Sequence, residues 1–128
     1  MITNILIIAL TIFLEAGGES LYGREAVASV IVNRAEERNL TLVETCLQPK
    51  QFSCWNNRSH KFKDLITSVP VGKAWRECLV IAYRMNNGRF KPVGRWNHYF
   101  NPSLCNPSWG RLMTEVEIIG NHKFGVLN

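Results

Sequence analysis

The apolar positions open as a nearly unbroken run and then settle into a helical period. Residues 3–16 hold Ile5, Leu6, Ile7, Ile8, Leu10, Ile12 and Phe13 and predict a helix by length and apolar content, with Gly17-Gly18 as its stop. Ser20 then offers an N-cap for a second helix running to about Arg38, whose Ala26, Val27, Val30 and Ile31 recur at helical spacing. Thr41 is placed to cap a short helical piece through Cys46, Pro49 to Asn57 reads as a loop, and Lys61 to Val69 as a short helix. Pro70-Val71-Gly72 opens a further helix over 73–86, with Trp75, Leu79 and Ala82 on one face and Asn87-Gly88 closing it. Beyond this the texture changes to a loop-rich segment of aromatic and amide residues from Trp96 to Trp109. A β-branched run from Thr114 to Ile119, interrupted by Gly120-Asn121 and resumed at Lys123 to Val126, predicts a hairpin. The fold class expected is mainly α (α+β): a helical core with a small C-terminal β-hairpin.

The 128 residues suit one domain around one core, with 46% hydrophobic and 20% charged residues and no repeat. The apolar N-terminus is a poor signal peptide, because no Lys or Arg precedes it, and it is shorter than the about 20 apolar residues of a membrane span. It reads as a buried first helix, without stable membrane insertion. Charge is uneven. Residues 1–49 carry three basic and six acidic groups, and residues 50–128 carry twelve and four, so −3 and +8 make the net +5. A basic second half suits an anionic partner such as nucleic acid, an anionic membrane surface or a bacterial wall polymer; the plain alternative is a solvated face. Cys46, Cys54, Cys78 and Cys105 show no C-x-x-C spacing and are expected reduced and buried.

The residue with most chemical promise is Glu15, a carboxyl group ending the apolar run just before the glycines. An apolar setting favours the neutral form of a carboxyl group, and an acid still protonated near neutral pH can protonate a leaving group. Glu19 is the candidate second acid, since cleavage of glycosidic bonds commonly uses two carboxyl groups. Its competing role is a charge near the N-terminus of the second helix. Asp64 is the sole aspartate and lies in a basic stretch, so a mechanism with one acid is easier to build than a conventional pair. His98, Cys105 and His122 are loosely spaced for zinc, and no H-E-x-x-H, G-x-S-x-G or Gly-rich phosphate loop is present. Trp55, Trp96, Tyr99, Phe100 and Trp109 fall among amide side chains in loop segments, a combination that suits sugar rings or stacked bases. Trp75, and Trp109 as a second reading, suit core packing.

Four blocks in order resemble the SleB-type cell-wall hydrolases, the family first defined by spore-cortex-lytic enzymes. They are Ile12 to Glu19, similar to the family's E-A-R-G-E segment; Gly23 to Arg34, ending in Asn33-Arg34; Gln51-Phe52-Ser53-Cys54-Trp55; and His98 to Trp109 followed by Ile119 to Phe124. Together they span nearly the whole chain. Gly17 stands where the family usually has Arg, and Ser20 where it often has Pro. The resemblance implies a lysozyme-like fold acting on bacterial peptidoglycan, with the family's catalytic glutamate carried onto Glu15. Ser53, Trp55, Asn97, His98, Tyr99 and Asn101 are expected to bind substrate, with Gln51 and Phe52 supporting their loop; no metal or cofactor is expected. The expected reaction is cleavage of the β-1,4 bond between N-acetylmuramic acid and N-acetylglucosamine, as a lytic transglycosylase. The alternatives are a muramidase on the same bond, a zinc-dependent amidase built on His98, Cys105 and His122, and a basic nucleic-acid-binding module. Residues 1–128 are expected to form one catalytic domain, monomeric and without a separate wall-binding domain or a nucleic-acid partner. A phage endolysin or a small bacterial wall hydrolase fits this size, held in the cytoplasm before it reaches the wall.

Overall fold

The computed structural model describes residues 2–48 and 71–128. The loop expected over Pro49 to Asn57 and the helix expected over Lys61 to Val69 lie outside the described residues. Among the described residues, four helices precede a three-stranded sheet: α1 (Ile2–Ala16), α2 (Leu21–Arg38), α3 (Leu42–Leu47), α4 (Lys73–Asn86), β1 (His98–Phe100), a 3₁₀ turn (Ser108–Leu112), β2 (Thr114–Ile119) and β3 (His122–Val126).

Each helix begins and ends where local chemistry dictates. Ser20 accepts a hydrogen bond from the Gly23 backbone at the start of α2, and Asn39 closes that helix in the left-handed region at φ 53°. Thr41 and Glu44 form a reciprocal capping box on α3. Gly88, at φ 74°, follows α4 and lets Arg89 N–H reach back to the Arg84 carbonyl at 2.8 Å.

α2 is the central helix. The run Ala26-Val27-Ala28-Ser29-Val30-Ile31 is buried on every side, as a helix surrounded by partners must be. α1 packs against it through Ile8, Ala9, Ile12 and Ala16, and α4 closes the layer with Trp75, Cys78, Ile81, Ala82 and Met85. Phe13 meets Trp75 edge to face, with ring centroids 5.6 Å apart. Among the described residues no helix is long and apolar enough to cross a membrane.

The expected hairpin is present, with Ile119 opposite His122 across a two-residue turn. It is only part of the sheet. β1 adds to β3 in the order β1-β3-β2, all antiparallel, with Tyr99 opposite Phe124. Residues 98–100, read from sequence as loop, are thus a strand, formed because β3 offers a paired edge and not because three residues have a pattern of their own. The thiol expectation also needs correction: Cys46 and Cys78 are free and buried, whereas Cys105 is free but exposed.

Candidate active site

The expected acid and the first strand of the sheet meet. Glu15 occupies the last turn of α1, half-buried, and the Tyr99 hydroxyl of β1 donates a hydrogen bond to its Oε1. Tyr99 is held from behind by rings, at 5.1 Å from His122 and 5.3 Å from Phe124 between centroids. A further participant, Arg34, was not singled out for chemistry by the sequence. Burial pulls its guanidinium below the usual arginine range, while Tyr99, Glu15 and Glu37 each favour its charge. Arg34 thus brings a positive charge to the neighbourhood of Glu15 from α2.

What places Arg34 is a polar stripe along one face of α2, beside its buried apolar run. The Ser29 hydroxyl accepts from Val93 N–H at 2.9 Å, and Asn33 Nδ2 donates to the carbonyls of Gly94 at 3.0 Å and Trp96 at 2.7 Å. Arg34 Nε donates to the Asn97 carbonyl at 2.6 Å, and Glu37 accepts from Asn97 Nδ2 at 3.1 Å. Spacing of four, one and three residues keeps these on one side of a helix. The stripe binds the connecting segment 93–97 and so delivers His98 and Tyr99 to the acid. Asn33-Arg34 was noted only as part of a motif; the spacing Ser29, Asn33, Glu37 was the signal that could have revealed the rest.

Asn97 was expected to line the groove and does not. It is 4% exposed, and its side chain bonds Glu37, the Leu127 backbone on both sides, and His98. It locks the chain end to β1. His98 is half-buried against Trp109, with centroids 5.1 Å apart, and its Nδ1 lies 3.0 Å from Asn97 Oδ1. That oxygen already accepts from Leu127 N–H, so His98 Nδ1 donates and Nε2 is left as an acceptor. Burial, together with Arg34 and Arg38, pushes the imidazole down to about 4 and keeps it neutral at pH 7. Asn101 forms a turn, its side-chain oxygen accepting from Ser103 N–H at 2.9 Å. Trp96 and Phe100, offered as sugar platforms, are buried instead, and Trp96 Nε1 is spent on the Glu115 carbonyl at 3.0 Å. Ser53 and Trp55, with Gln51 and Phe52, lie outside the described residues.

Glu19 sits beyond the end of α1 and faces the hairpin turn. Its two oxygens accept from Asn121 N–H and Asn121 Nδ2, each at 2.9 Å, and His122 Nδ1 lies 4.0 Å from Oε1. Burial raises the Glu19 carboxyl, but the two Asn121 bonds and His122 outweigh it and bring the group below the ordinary range. On the other side of the same segment, buried Arg24 donates to the carbonyls of Gly17 and Glu19 and pairs with Glu77 of α4. The residues offered for zinc do not gather: His98 faces Trp109 and Asn97, and His122 faces Tyr99 and Glu19. Among the described residues no three His, Cys, Asp or Glu side chains could hold a metal.

Comparison with known proteins bears on the family and the fold. A family model described as cell wall hydrolase matches residues 18–125, beginning just after Glu15. The spore cortex-lytic enzyme of Oceanobacillus iheyensis is 28% identical over 130 residues, which cover 94% of this chain and 41% of that protein. The chain thus spans about two fifths of the length of the curated relative it matches. Of solved structures, the catalytic domain of the germination-specific lytic transglycosylase SleB from Bacillus anthracis superposes with a TM-score of 0.69 at 25% identity, over 95% of this chain and 93% of that one. The catalytic domain of Bacillus cereus SleB gives 0.70 at 24%, over 98% and 91%, and shares the fold. The lysozyme-like α+β fold expected from the resemblance is the one found, and with most of its length matched, this chain belongs to the cell wall hydrolase family.

Proposed function

We propose that the protein cleaves the β-1,4 bond between N-acetylmuramic acid and N-acetylglucosamine in peptidoglycan as a lytic transglycosylase, with Glu15 as its acid and base. The observation that carries this reading is the Tyr99–Glu15 hydrogen bond at the end of α1, beside the buried charge of Arg34. It is supported by the likeness to a SleB catalytic domain whose title names it a lytic transglycosylase. Glu15 gives its proton to the glycosidic oxygen as the bond from that oxygen to C1 of the muramic sugar breaks. The resulting carboxylate takes the proton of the muramic C6 hydroxyl, and O6 closes on C1 to form a 1,6-anhydro sugar. No water is consumed and Glu15 ends protonated, ready for another turn. A single carboxyl group suffices, which agrees with the engagement of Glu19 at the hairpin turn.

Tyr99 orients the acid, and neutral His98 offers Nε2 to a sugar hydroxyl. Ser53, Trp55 and Asn101 complete the proposed sugar-binding set, with the basic second half of the chain drawing the protein to an anionic wall. Mass spectrometry of sugars released from purified peptidoglycan by the wild type and by Glu15→Gln tests the reading. Anhydro-muramic ends from the wild type, and none from a folded Glu15→Gln, are expected. Reducing muramic ends would reassign the protein as a muramidase, and free stem peptides as an amidase. The setting we propose is that of a phage endolysin or a small bacterial wall hydrolase held in the cytoplasm before it reaches the wall. Expression in a bacterial cytoplasm should then lyse cells only after the membrane is permeabilised, and lysis without that step would count against it.

A further inference from the structure

We propose that Glu19 is a positioning residue: its carboxylate seats the turn between β2 and β3 and through that turn fixes Tyr99 against Glu15. This rests on Glu15 being the acid, as proposed above. The contacts close a ring. Glu15 and Glu19 are joined by the short segment Ala16-Gly17-Gly18, whose backbone Arg24 holds in place through the Gly17 and Glu19 carbonyls. Glu19 grips Asn121 by backbone and side chain, and the next residue, His122, packs its ring on Tyr99 at 5.1 Å. Tyr99 completes the circuit with its hydroxyl on Glu15.

The seat at the turn is tight. Gly120 has φ 59°, the left-handed value that a two-residue hairpin turn needs at its first position, and a Cβ there would collide with the Glu19 carboxylate. Glycine is favoured by the backbone, and any side chain here would also have to displace the Glu19 carboxylate from Asn121. The Glu19 contacts tie the start of β3 to the segment after α1, and it is β3 that carries the rings behind Tyr99. The arrangement uses both Glu19 oxygens as acceptors at the turn, a duty that orients a neighbouring group and transfers no proton.

Steady-state kinetics on soluble peptidoglycan glycan fragments test this, using Glu15→Gln, Glu19→Gln, Glu19→Ala, Asn121→Ala and the double variant Glu19→Ala/Asn121→Ala. Glu19→Ala should lose between about tenfold and a hundredfold in kcat with KM within about twofold, the pattern of a misplaced acid. Glu19→Gln keeps an oxygen for the Asn121 N–H, so it should recover most of kcat and leave both limbs of the pH–rate profile in place. Asn121→Ala should cost nothing further once Glu19 is Ala. Wild-type kcat in Glu19→Ala overturns the proposal, as does a Glu19→Gln as inactive as Glu15→Gln or missing one pH limb. Should Glu19→Ala not fold, the Gln and Asn121→Ala variants decide by the same criteria. Full activity in Glu15→Gln would instead overturn the assignment of the acid, a result none of the Glu19 variants can imitate.

Discussion

Asn97 and His98 are adjacent in the chain and share a hydrogen bond, yet they do different work. The amide is consumed inside the protein, and the imidazole keeps one nitrogen for a partner. Their surroundings also set a pH dependence. His98 is neutral in the folded protein down to about 4, whereas in the unfolded chain it takes up its proton near its ordinary 6.5. Between these values the unfolded state binds more protons, so stability present above pH 6.5 is lost as pH falls towards 4. Melting curves across this window should fall for the wild type and flatten for His98→Gln. The sequence singled out Glu15 as an acid and Tyr99 as a sugar-binding residue separately, because an acid after an apolar run and a tyrosine among amides are unusual enough to notice; their hydrogen bond to each other was not foreseen. It misjudged Asn97, Trp96 and Phe100, since a residue type says nothing of which way it faces in a segment whose partner strand is unknown.

At the scale of elements, α2 does more than fill the core. Its stripe Ser29, Asn33, Arg34 and Glu37 replaces, for residues 93–97, the backbone pairing that a sheet would have supplied. Removing one member exposes the arrangement. Asn33→Ala leaves the Gly94 and Trp96 carbonyls without their donor, and should lower the unfolding free energy in urea by about 2 kcal/mol. The slope of the transition should be unchanged, since the same surface is exposed on unfolding. The helices were legible because their ends carry local signals: Ser20, Thr41 with Glu44, and Asn87-Gly88 each act within one turn. β1 was not, because three residues flanked by Asn carry no period, and their state is settled by Phe124 and its neighbours more than twenty positions later.

The molecule as a whole joins two layers with different roles: apolar helices that hold Glu15 and a small sheet that holds Tyr99. Its thiols report on whether the layers stay together. Burial pushes Cys46 up to about 12 and Cys78 up to about 11, while Cys105 is exposed at the sheet end. Native protein treated with a thiol reagent at pH 8 should therefore label quickly at Cys105, and at Cys46 and Cys78 only as fast as the core opens. Peptide mapping of the labelled protein reads each site separately. Prompt labelling of Cys46 in the folded protein would contradict the tightly closed interface between α1, α2 and α3.

A Cβ at Gly17 would run into the Phe13 carbonyl oxygen, which is also the acceptor for Gly17 N–H. An arginine placed at this position alone would therefore disturb the last turn of α1. Arg24 and Arg34 meanwhile bring positive charge to the same neighbourhood from α2. Glycine at this position and the backbone of the last α1 turn are therefore matched to each other. A chimera that exchanges the whole segment 13–24 with a relative carries its own solution along, whereas a chimera that exchanges residue 17 alone inherits half of two incompatible ones.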